Sequence, residues 1–214
     1  MVTTASSRSE SPSGRTGPPQ QLPWTGDADA DRLNAAAPVA LLIGFVLDQQ
    51  VTVQQAFSGP LEIRRRLGTL DPVKLAAVDP VRMREAFAGR PAIHRFPKAM
   101  ADRVQALCVE IVDTYAGDAE AIWRDAADAE DLRRRLGRLP GFGPMKAATV
   151  LRLLTFQFGL RPGGYERLLP DHPTLGDVTT AEELTAYQTQ KRAHKAALRA
   201  ATPASVASPR GRRR

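Results

Sequence analysis

At 214 residues the chain is long enough for one domain of about 150–180 residues plus tails. Its 43% hydrophobic and 25% charged residues are those expected of a soluble globular protein. The formal net charge of +7 suits a polyanionic partner, but Arg210, Arg212, Arg213 and Arg214 supply +4 of it from the very end, so the rest is only mildly basic.

One cysteine, Cys108, excludes an internal disulfide, a four-cysteine zinc site and a cysteine-ligated iron–sulfur cluster. It lies in an apolar helical stretch, where a small core residue is the ordinary role. No N-terminal apolar leader is visible, and no apolar run reaches the roughly 18 residues of a bilayer span. A cytoplasmic, nucleoid-associated protein is expected.

In chain order, residues 1–28 are rich in Ser, Pro, Gly, Thr and acidic residues and are expected to be disordered. Trp24 beside Pro23 is able to dock on the domain, although a lone aromatic in such a segment is more often loosely held. The domain is expected over 29–202. Leu41, Leu42, Phe45 and Val46 recur at helical spacing behind Pro38, which suits a first turn. Thr52 caps a second helix that Gly68 stops. Asp71-Pro72 and Asp79-Pro80 each open a short helix.

Pro97 starts a long amphipathic helix whose buried side carries Met100, Val104, Leu107, Cys108, Ile111, Val112 and Tyr115. A short helix around Ile122 and Trp123 follows, then a helix–turn–helix unit over 131–158. A Gly/Pro-rich loop spans 159–179, a length that usually marks function or disorder. Thr180-Ala181-Glu182-Glu183 is a capping box for a last helix over 180–200. Residues 203–214 form a basic tail expected to be disordered and able to scan a polyanion non-specifically. With no period-two stretch, the expected fold is all-α, a compact multi-helix bundle with short connections.

The sequence Leu139-Pro140-Gly141-Phe142-Gly143-Pro144-Met145-Lys146-Ala147 stands between two apolar-periodic segments. Gly141 and Gly143 are expected to turn through positive φ, leaving bare amides at the start of the helix near Pro144. Such a helix start attracts an anion, and phosphate is the natural one. An ordinary joint, in which glycine only stops the first helix, is the alternative.

With Leu136, Leu139, Ala147, Val150 and Leu151 in register around it, this stretch resembles the hairpin of the helix-hairpin-helix/GPD superfamily of base-excision DNA glycosylases, relatives of endonuclease III. Two further pieces carry the resemblance over roughly residues 34–159. Leu41–Thr52 looks like the family's early helix ending in an apolar-x-Gln-Gln-apolar-Ser/Thr turn, and Lys98-Ala99 opens the long helix.

The resemblance implies a duplex-DNA partner, damaged or abasic, and a nucleotide extruded into a pocket. Leu139, Gly141, Phe142, Gly143, Met145 and Lys146 would grip a backbone phosphate. Gln50 would fill the gap left by the extruded base, with Gln49 and Thr52 lining the same turn. Members that cleave the strand carry a Schiff-base lysine six residues after the first hairpin leucine; here that position is Met145. Lys146, one residue or about 100° further on, is expected to face phosphate or solvent.

A monofunctional glycosylase acting as a monomer, with no cofactor and no metal, is therefore the expectation. The family's aspartate, which stabilises the cationic sugar or activates water, has two candidates, Asp171 and Asp177. Both lie farther from the hairpin than the family spacing, and either could simply cap a turn. Tyr165 and His172 could line the base pocket, and His94 and Arg95 could approach phosphate or merely lie at the surface. The displaced aspartates also leave room for a catalytically degenerate DNA-binding scaffold.

Overall fold

The computed structural model describes residues 17–201. The basic tail over 203–214, and most of the segment expected to be disordered, lie outside the described residues.

The described chain is all-helical and compact. It comprises α1 (Ala28–Ala36), α2 (Pro38–Leu47), α3 (Val53–Leu67), α4 (Pro72–Ala76), α5 (Pro80–Ala88), α6 (Pro97–Tyr115), α7 (Ala121–Arg124), α8 (Ala129–Arg138), α9 (Pro144–Phe156) and α10 (Ala181–Ala201). Two 3₁₀ turns, Tyr165–Arg167 and Leu175–Asp177, punctuate the stretch between α9 and α10.

Local chemistry sets most helix starts. Thr52 accepts a hydrogen bond from the Gln55 amide, and Asp71 and Asp79 each accept from the two amides that follow their proline. Each cap satisfies a donor that has no partner inside its helix. Gly68 ends α3 at φ 76°. The Thr180–Glu183 box closes reciprocally: Thr180 Oγ1 accepts from the Glu183 amide, and Glu183 accepts from the Thr180 amide.

α2 is the axis of the core, with every residue from Val39 to Leu47 buried. A helix apolar all round must be wrapped on all sides. α1, α3 and α6 pack against it. No single helix among the described residues is long and apolar enough to cross a membrane.

Two sequence expectations are corrected here. The last part of the segment 1–28 is ordered against the core, with Leu22 and Trp24 fully buried. Trp24 Nε1 donates to the Val178 carbonyl at 3.1 Å, and its ring meets Phe57 edge-on at 4.7 Å between centroids. Asp31 accepts from the Trp24 and Thr25 amides, which folds the segment back over α1.

The Gly/Pro loop over 159–179 is likewise packed. Leu175 and Val178 join the core, and Gln157 Nε2 donates to the carbonyls of Gly176 and Val178. Polar closure of its backbone, rather than regular structure, holds this loop.

Candidate functional site

The turn after α2, the loop before α6 and the turn between α8 and α9 converge on one face. Gln50 sits at φ 58°, a left-handed backbone that only a minority of non-glycine residues adopt. Its side chain is exposed, whereas Gln49 turns inward. Gln49 Nε2 donates to the Val46 carbonyl at 2.9 Å, and its Oε1 accepts from Arg103 at 2.7 Å. Thr52, exposed, caps α3.

His94 clamps the same turn from the far side. The Phe96 amide donates to His94 Nδ1 at 3.0 Å, so that nitrogen is the acceptor. The proton is therefore on Nε2, which donates to the Gln49 carbonyl at 3.0 Å. Burial lowers the His94 pKa below the ordinary histidine value, which favours this neutral form. His94 is 1% exposed and cannot reach a phosphate; its neighbour Arg95 is exposed and stacks over the Phe96 ring at 4.6 Å. Sequence reasoning missed the clamp because its partner lies 45 residues away.

Between α8 and α9 the chain turns at Gly141, φ 84°. Gly143 departs from expectation: it is extended, φ −119° and ψ 178°, and caps α9 without any side-chain bond. Pro144 has no N–H and the Ala147 amide is bonded to the Gly143 carbonyl, so the Met145 and Lys146 amides head the helix. Leu139 and Phe142 point inward as anchors, and the Phe142 ring lies 6.4 Å from Phe45 of α2.

Arg103 joins the two turns. A Cβ at Gly141 would fall 2.8 Å from Arg103 Cδ and 3.5 Å from a Val46 methyl, so the turn rests on this arginine. The same guanidinium holds Gln49. Neither contact has a local sequence signal.

Behind these turns opens a cavity of about 730 Å³, lined by Phe45, Asp48, Lys146, Thr149, His172 and Tyr187 among others. Met145 also lies on its rim and is 62% exposed. Lys146 turns inward rather than to solvent, and its ammonium donates to the Gly141 carbonyl at 3.2 Å. Burial pushes its pKa down to about 8, against the opposing pull of Asp48 and with some help from Arg103 and Lys191.

His172 reaches the cavity, whereas Tyr165 packs against the core outside its lining. Neither aspartate expected from the sequence lines the cavity. Asp171 is exposed on the loop. Asp177 pairs with Arg152 and accepts from the Thr174 amide and hydroxyl, closing a capping box on the Leu175–Asp177 turn. The described residues contain no cluster of three or more His, Cys, Asp or Glu able to hold a metal. No family model, curated protein or solved structure matches this chain.

Proposed function

We propose that the protein is a DNA repair protein of the helix-hairpin-helix kind, a monofunctional DNA glycosylase that grips duplex DNA and extrudes a damaged or mispaired nucleotide into the cavity. The observation that carries this reading is the Arg103 bridge, which ties the Gln49-Gln50 turn to the turn at Gly141, while their chain neighbours Asp48 and Met145 line the cavity.

Each proposed role has a geometric feature in its support. The uncapped start of α9 offers amides to a phosphate oxygen. Exposed Gln50, long and planar, is available to pair with an orphaned base edge. The cavity is large enough for one nucleoside. Met145 rather than lysine at the strand-cleaving position supports base release without strand cleavage.

Fluorescence anisotropy tests the grip directly. Duplex DNA carrying a tetrahydrofuran abasic analogue should bind at least tenfold tighter than undamaged duplex, and Gly143→Glu should remove that binding. Equal binding of both duplexes would end the proposal. Base release from duplexes carrying uracil, alkylated bases or 8-oxoguanine opposite adenine tests the chemistry. A second reading, a DNA-binding scaffold without catalysis, is favoured by the two aspartates that stand away from the cavity; binding without release from any substrate would support it.

A further inference from the structure

The cavity contains a carboxylate that the sequence pattern did not mark. Asp48 ends α2 at φ −70° and ψ 69°, in the turn that leads into Gln49 and Gln50. Its side chain is half-buried and lines the cavity with Phe45, Leu175 and Tyr187. The remaining formally charged lining residues, Lys146 and Lys191, are cationic. Asp48 is close enough to Lys146 to favour the lysine's charged form.

Asp177, by contrast, spends its carboxylate on Arg152 and the Thr174 backbone, and Asp171 lies outside the lining. A cation forming in this cavity would meet one acidic side chain. Apolar walls make that encounter stronger than it would be in bulk water.

We infer that Asp48 is the catalytic carboxylate of the site, a step that rests on the glycosylase reading above. As the C1′–N bond breaks, its electron pair leaves with the base, and the carboxylate stabilises the cationic sugar that remains. Water then adds its oxygen to C1′ and gives a proton to Asp48, which returns it to the departed base. The sum is hydrolysis of the glycosidic bond with no oxidant, reductant or further reactant.

The test needs no knowledge of the natural base. Three duplexes are compared with the full-length protein: undamaged, carrying the neutral tetrahydrofuran analogue, and carrying a cationic pyrrolidine analogue of the sugar. The wild type should prefer the pyrrolidine duplex over the tetrahydrofuran duplex by at least tenfold. Asp48→Asn should collapse that ratio to within twofold, Asp48→Glu should restore most of it, and Asp171→Asn and Asp177→Asn should leave it standing. Thermal melts of each variant separate a lost charge from a lost fold.

No preference in the wild type, or a preference that survives in folded Asp48→Asn, overturns the assignment to Asp48 while leaving DNA recognition intact. Equal binding of all three duplexes is a different result: it removes the proposed function and this inference with it.

Discussion

Gly143 and Gly176 lie on either side of α9, and the space around them differs sharply. A Cβ at Gly176 would fall 2.7 Å from the Leu153 amide nitrogen and 3.0 Å from the Thr149 carbonyl oxygen, inside the backbone of α9. A Cβ at Gly143 would meet nothing within 4 Å, and its backbone is one that any residue adopts. The first glycine is required by the protein's own packing. The second has no folding reason to be glycine, which suits the proposed approach of a phosphate to the start of α9. A glycine's neighbourhood shows where packing demands it and where packing does not.

Substitutions at the two positions should therefore break different properties. The largest effect on stability is expected from Gly176→Val, which drives a branched side chain into α9 and should cost about 3 kcal/mol. Urea unfolding measures it, and a cost below about 0.5 kcal/mol would erase the contrast. Gly143→Glu should leave stability within about 0.5 kcal/mol. The same variant should lower affinity for abasic duplex at least tenfold, because a carboxylate would occupy the anion's place.

Lys146, three residues past Gly143, sharpens the comparison through pH. Its folded pKa, about 8, lies below the ordinary lysine value of 10.5, so the unfolded chain binds more protons between those limits and stability rises across that window. The penalty of burying the charge is full below pH 8 and fades toward 10.5. Lys146→Met should therefore raise the melting temperature at pH 7, by a gain of about 1 kcal/mol after solvent screening, and by much less at pH 10. An equal gain at both values would mean that buried charge is not the cause.

The smallest effect concerns the clamp on the glutamine turn. The His94 pKa is lowered, so its contribution is complete above 6.5 and is lost as pH falls from there through the folded value. Melting temperatures should fall between pH 7 and 5, and His94→Gln should flatten that fall.

Features legible in the sequence were those whose partners lie within a few residues. Thr52, Asp71, Asp79 and the Thr180–Glu183 pair announce their helices because each cap bonds an amide two or three positions on. α1 escaped because it is short, rich in alanine and weakly patterned, although Asp27 caps it. Docking of Trp24 and packing of the 159–179 loop were illegible because their partners lie across the fold. At the candidate site, the two turns could be read as separate motifs, but not the arginine that joins them. The inward rotation of Lys146 depends on a cavity that does not exist until α2, α9 and α10 have met, although the Gly141 carbonyl it bonds is local.

The bond from the Trp24 indole to the Val178 carbonyl spans 154 positions. During synthesis at about 5–20 residues per second, Trp24 would wait many seconds for its acceptor to be made. Through that interval the indole donor lacks its Val178 acceptor, although Phe45 and Phe57, made much earlier, are already there to meet the ring. The polar tie of this core residue therefore closes only after the stretch between α9 and α10 has been made.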